Sequence, residues 1–207
     1  MPRRRLSYTY DANLDRYRDS LTGKFLPQSR IDSLLNRQML ASQKQMQALS
    51  QQLIEQKIDL QAWREAMREQ LRTLHSVNAA IAQGGLERMG LAEWARVGGQ
   101  LRFQYSQLDR FSSQIQYGAQ PLDGRFKARV NMYARAGHAT YEETKRAGAK
   151  DKGFTSERRV MSVAEHCADC LEYAARGWQP IGTLPKIGDS VCQVNCRCKF
   201  EYATREK

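Results

Sequence analysis

Cysteine is missing from the first 166 residues of this 207-residue chain, and all five cysteines lie between positions 167 and 198. Long apolar runs are missing too, since no stretch approaches the roughly 20 apolar residues that a membrane span requires. The basic start, MPRRRLSYTY, has no apolar segment of the secretory type. We therefore expect no membrane partner and a chain kept in a reducing cytoplasm. There, five cysteines favour thiolate ligands over disulfides, and an odd count leaves one thiol over.

The residue patterns of common enzymes are absent as well. There are no paired carboxylates at local spacing, no phosphate-binding glycine loop and no Ser/His/Asp combination. Only three histidines are present, His75, His138 and His166. His75 falls in a helical segment and is expected to face solvent, and His138 lies near an apolar helix face, where a structural role is more common than a catalytic one. The sequence thus predicts that the protein is not an enzyme.

Apolar residues are scarce and basic residues are in excess. Hydrophobic residues make up 41% of the chain, the mean hydropathy is −0.69 and the formal net charge is +11. Of this charge, +3 lies in residues 1–27, +1 in 151–207 and the remaining +7 in 28–150. This composition predicts an elongated molecule or one that buries surface against partners. The basic excess fits either a polyanionic or acidic partner or an ordinary solvated helix surface.

Glycine and proline are both missing from residues 29–83, which predicts one long helix that ends at the Gly84–Gly85 pair. Apolar residues recur in it every seven positions, at Met39, Met46, Leu53, Leu60, Met67, Leu74 and Ile81. A second seam, four residues earlier in each repeat, alternates between apolar and polar residues. The pattern is typical of a coiled coil or helical hairpin. Such an apolar stripe packs either on this chain's own later helices or on another protein chain.

The remaining segments complete a mainly α fold. Residues 1–28 predict an extended N-terminal arm with one short hairpin. Residues 29–150 predict a helical bundle with a break at Gly98–Gly99. Residues 151–207, where glycine, proline and cysteine become frequent, predict a small α+β module held together by a metal ion.

The cysteine spacing favours a structural zinc site. Cys167 and Cys170 form a C-x-x-C pair, and after 21 intervening residues come Cys192, Cys196 and Cys198. Two such groups can close a tetrahedral shell around Zn²⁺, which leaves no position for a reacting water. We predict Cys167, Cys170, Cys192 and Cys196 as ligands, with Cys198 as a possible substitute for Cys196 and His166 as an unlikely ligand. A redox C-x-x-C pair and buried metal-free thiols are the alternatives.

A DNA-binding, zinc-finger-like regulatory protein is the alternative function. The basic isoelectric point fits nucleic acid, but the cysteine segment is nearly neutral and contains no Cys₂His₂-type recognition helix. Sequence-specific base readout is therefore not expected, whereas non-specific contact with phosphates is compatible with the charge.

The cysteine segment resembles the C-terminal part of phage minor head proteins of the Mu F-like head morphogenesis family. The resemblance is carried by Cys167, Cys170, Gly177, Pro185, Gly188, Cys192, Asn195, Cys196, Arg197 and Cys198. Many relatives place a His-Pro pair before the N-C-R-C group, where this chain has Cys192 instead. The resemblance implies a virion protein in several copies at the portal or inner capsid, which acts in head assembly and in genome packaging or ejection. The implied partners are the portal protein, the major capsid protein and packaged DNA, in the host cytoplasm during assembly.

Overall fold

A computed structural model describes residues 8–11, 14 and 16–204, and these residues form a helical bundle with two small antiparallel sheets. No helix among them is both long and apolar enough to cross a membrane. The helices are α1 (Gln28–Ile54), α2 (Leu60–Gln83), α3 (Leu91–Gln116), α4 (Gly124–Arg135), α5 (Gly137–Asp151) and α6 (Ala168–Ala175). The strands are β1 (Tyr8–Asp11), β2 (Arg16–Asp19), β3 (Ser156–Val160), β4 (Gln179–Pro180) and β5 (Lys199–Ala203).

The predicted single helix over residues 29–83 is wrong, because the chain turns at residues 55–59 and forms a hairpin of α1 and α2. Gln56 adopts a left-handed backbone with a φ of 56°. Asp59 then caps α2, its carboxylate accepting a hydrogen bond of 2.7 Å from the Ala62 amide. Folding back lets each apolar seam bury itself on the other helix, which a straight helix of this length cannot do.

The heptad residues form the core of this bundle. Met46 and Leu53 of α1 lie beside Trp63 and Met67 of α2, and the Trp63 indole donates a 3.2 Å hydrogen bond to the Ser50 hydroxyl. The predicted stripe is therefore confirmed as a core within this chain. Leu108 and Phe111 of α3 and Phe126, Val130 and Tyr133 of α4 complete the same cluster.

The predicted break at Gly98–Gly99 is also wrong, since α3 runs through both glycines. Two glycines in a helix interior cost about 1 kcal/mol each relative to alanine. Val97, Gln104 and Leu108 are buried on one face of α3, and this packing against the bundle outweighs the local cost.

The N-terminal segment forms a hairpin of β1 and β2 that packs on this chain's own α2. β1 and β2 pair antiparallel with Tyr10 opposite Tyr17. The Tyr17 hydroxyl donates a 2.7 Å hydrogen bond to the Ile81 carbonyl. The Tyr10 ring lies so close to Gly84 that a Cβ there would collide with it, and Gly84 itself has a φ of 95°. The glycine that ends α2 therefore also makes room for the hairpin.

The C-terminal segment forms a three-stranded antiparallel sheet in the order β4-β3-β5, with α6 between β3 and β4 in the chain. Buried polar contacts join this sheet to α5. Arg146 of α5 forms an ion pair with Glu157 of β3, and its guanidinium also donates a 2.6 Å hydrogen bond to the Leu184 carbonyl. The Phe200 amide donates a 3.0 Å hydrogen bond to the buried Glu142 carboxylate. These contacts fix the cysteine module against the end of the bundle.

Candidate metal centre

The first two cysteines lie at the start of α6. Cys167 immediately precedes the helix, and Cys170 is in its first turn and 1% exposed. The three-residue spacing puts both sulfurs on the same side of this turn. Interaction with the Cys170 backbone amide lowers the pKa of the Cys167 thiol to about 7. The helix start therefore favours the thiolate form that a metal requires.

The other three cysteines come from the chain between β4 and β5 and meet the first pair. The Sγ of Cys170 is 3.6 Å from that of Cys192 and 3.7 Å from that of Cys196. The ligand atoms form two groups, Cys167–Cys170–Cys192 and Cys170–Cys196–Cys198, and within each group they lie within 4.8 Å of one another. The structure thus brings together all five cysteines, with Cys170 common to both groups, and this cluster could hold a metal ion.

The sulfur spacing matches a thiolate metal site. Bonds of about 2.3 Å to a tetrahedral zinc place neighbouring sulfurs about 3.8 Å apart. The two short Cys170 distances agree with this edge length. A tetrahedral ion takes four of the five thiols. The predicted ligands are Cys167, Cys170, Cys192 and Cys196, and Cys170 belongs to both groups of sulfurs. That the ion binds these four thiols, and not a set that contains Cys198, stays a prediction.

Cys198 has a second polar neighbour, the imidazole of His166. The Nε2 of His166 lies 2.7 Å from the Ser162 carbonyl oxygen, which can only accept, so this nitrogen carries the proton. The lone pair of Nδ1 is then free, and it faces the Cys198 sulfur at 3.7 Å. His166 therefore lies at the edge of the cluster, nearer to Cys198 than the sequence prediction implied.

A buried guanidinium lies beside the cluster. Arg159 on β3 is 3% exposed, and its Nη1 lies 3.9 Å from the Cys196 sulfur. Its Nη2 donates hydrogen bonds to the carbonyls of Pro185 and Lys186, which holds the loop before Cys192 in place. A hydrogen bond from the Cys198 thiol, together with the charge of Arg159, lowers the pKa of Cys196 to about 4. The same hydrogen bond raises the pKa of Cys198.

The pKa of Cys192, unlike that of Cys196, is raised: burial of its thiol raises it to about 12. The Ser190 hydroxyl lies 3.2 Å from the Cys192 sulfur and 3.5 Å from the Cys170 sulfur. Cys170, Cys196 and Cys198 are each at most 3% exposed. These three sulfurs are thus screened from water, whereas Cys167 and Cys192 are half-buried.

The histidines outside the cluster have structural surroundings. His75, expected to face solvent, is fully buried, because α5 packs across α2 at this point. Its Nδ1 lies 2.6 Å from the Thr140 hydroxyl, and burial lowers its pKa to about 4. The Nε2 of His138 on α5 donates a 2.8 Å hydrogen bond to the Cys198 carbonyl. This bond fixes the backbone just before β5.

Sequence reasoning missed Arg159 and Ser190 because neither belongs to a ligand motif. The sequence SERRV carries no signal for Arg159, because Glu157, Arg158 and Arg159 are all charged; only the structure shows that Glu157 and Arg159 are buried on the same side of β3. Comparison of the chain with family models, curated proteins and solved structures finds no match.

Proposed function

We propose that this chain is a structural virion protein of the phage minor head type, whose C-terminal module is held in shape by one Zn²⁺. The observation that carries the proposal is that five cysteine sulfurs, two from the start of α6 and three from the 192–198 segment, form two groups that share the buried Cys170. The proposed ligands are Cys167, Cys170, Cys192 and Cys196. Four thiolates complete a tetrahedral shell with no position for a substrate or reacting water, so the ion acts structurally.

Several residues that carry the phage resemblance form turns or hydrogen bonds near the cysteine cluster. This supports the assignment of the chain to the phage minor head proteins. Gly177 and Gly188 adopt left-handed backbones, with φ of 63° and 101°. The Pro185 carbonyl accepts from Arg159, and the Asn195 side chain accepts from Arg135 of α4. The motif is therefore a set of residues that shape one folded unit.

An apolar patch offers a docking site for the portal or major capsid protein. Leu91 and Trp94, three residues apart on α3, are 92% and 42% exposed. Exposed apolar side chains grouped in this way are typical of protein interaction sites. The N-terminal hairpin packs on α2, so we assign docking to α3.

Three measurements test the proposal. Metal analysis of the purified full chain should give about one zinc per chain, and mass spectrometry of purified virions should detect the protein. Leu91→Asp should remove co-sedimentation with heads, whereas Phe103→Asp, at another exposed position of α3 (57% exposed), should not. Absence from virions together with sequence-specific duplex binding would instead establish the regulatory alternative.

A further inference from the structure

The basic excess of the molecule is concentrated on two helices that pack against each other. Helix α1 carries three Lys/Arg and one Asp, and α4 carries four Lys/Arg and no acidic residue, so they account for +6 of the +7 in residues 28–150. Residues 33–54 and 124–135 contain six Lys/Arg and no Asp or Glu. Helices α2, α3 and α5 are close to neutral by the same count.

The packing of α1 on α4 brings Arg37, Lys44, Lys127 and Arg135 to one flank, whereas Arg129 bonds Gln114 of α3 and Arg125 lies beside Asp123. The Gln47 amide donates a 2.8 Å hydrogen bond to Asn131, and Gln43 lines a hollow of about 460 Å³ together with Arg135 and Arg197. The two helices are thus antiparallel, since a later residue of α1 meets an earlier one of α4. Side chains four apart on α4, at 127, 131 and 135, share this flank.

We name as the α1–α4 basic face the exposed residues Arg37, Lys44, Lys127, Arg135 and Arg197. Within the described part of the chain, none of the five forms an ion pair with a carboxylate. By contrast, Arg68 pairs with Asp109, Arg158 with Glu201 and Arg176 with Glu172 on other surfaces. The face is therefore positive without internal neutralisation.

We propose that the α1–α4 basic face binds the phosphate backbone of duplex nucleic acid, without reading its sequence. Lys and Arg side chains together with the amides of Gln43, Gln47 and Asn131 are the groups that contact phosphates. The hollow contains no aromatic side chain on which an unpaired base could stack, which favours a duplex over a single strand. The inference rests on the proposed function only for the source of the duplex, which is the packaged genome.

The test measures binding of the full chain to two unrelated 30-bp duplexes by fluorescence anisotropy. With about four phosphate contacts, affinity should fall about 100-fold between 50 and 200 mM salt, equally for both duplexes. The variant Arg37→Gln, Lys44→Gln, Lys127→Gln, Arg135→Gln should lose most of this salt dependence. The matched control Lys24→Gln, Arg102→Gln, Arg110→Gln, Lys150→Gln removes the same charge from exposed residues elsewhere and should keep it.

Equal weakening by both variants would overturn the proposal, because it would show a general effect of net charge. So would competition by poly-L-glutamate that is stronger than by unlabelled duplex, which would assign the face to an acidic protein. Zinc content and head association are measured on the same variants. Failure of the unmodified chain to bind duplex, with zinc and head association intact, would overturn the basic-face inference and leave the proposed function standing.

Discussion

Cys170 is the sulfur on which the candidate metal centre depends, because it belongs to both groups of thiols. Cys198 is buried in the same cluster but pairs with Cys196 and His166. Residues of one type, equally buried, thus have different expected roles that depend on their neighbours.

We predict that Cys170→Ser removes metal binding, whereas Cys198→Ser retains about one zinc per chain. Serine keeps the size of the side chain but is a poor zinc ligand, so the comparison isolates the sulfur. Metal content of the two purified variants, measured side by side, checks this. Equal zinc loss in both would place Cys198 in the ligand shell.

His75 gives the stability of the bundle a dependence on pH. Its pKa is lowered from 6.5 to about 4 in the fold, so between these values the unfolded chain binds more protons than the folded one. The stability from neutral His75 is complete above pH 6.5 and is lost as pH falls towards 4. Between pH 7.5 and pH 5 the loss is about 2 kcal/mol.

Urea unfolding of the natural chain and of His75→Gln at these two pH values measures the effect. Protonation of the cysteine cluster affects both proteins alike, so their difference isolates His75. The variant should lose about 2 kcal/mol less stability on acidification. An identical pH dependence of the two proteins would show that His75 is not buried as a neutral group.

At the scale of elements, the turn between α1 and α2 decides the shape of the bundle. Nothing in residues 29–83 signals a stop by glycine or proline, and only Asp59, a helix cap, hints at the second start. The turn places Gln56 in a left-handed conformation that residues other than glycine and asparagine adopt at a cost.

Gln56→Gly should therefore raise the free energy of unfolding by about 0.5–1 kcal/mol. The same substitution at Gln45, an exposed position inside α1, should lower it by about 1 kcal/mol. Thermal or urea unfolding of the pair checks both signs. A destabilised Gln56→Gly variant would argue that the helix is continuous through residue 56.

At the scale of the whole molecule, two parts depend on different forces. The bundle buries large apolar side chains such as Trp63, Phe111 and Phe126. The core of the C-terminal module consists of cysteines with Leu184, Ile187 and Phe200. A core this small needs a further source of folding stability, such as a bound metal ion.

Chelation of the metal should therefore unfold the module while the bundle stays folded. Hydrogen exchange followed by mass spectrometry should show loss of protection in β3 and β5 and unchanged protection in α2. Readdition of zinc should restore the protection of both strands. A module that keeps full protection in excess chelator would contradict a structural role for the ion.

The position of the cysteine cluster, the apolar stripe of the core and the end of α2 at Gly84 could be predicted from the sequence, because each depends on local spacing or on one residue's backbone freedom. Four features could not be predicted in this way and depend on the folded chain: the hairpin of α1 and α2, the continuous α3, the burial of His75 and the contact of Arg159 with Cys196. In each of these cases the energy comes from residues far apart in the chain. Burial of apolar surface between helices exceeds the preferences of a few residues for a turn or a helix.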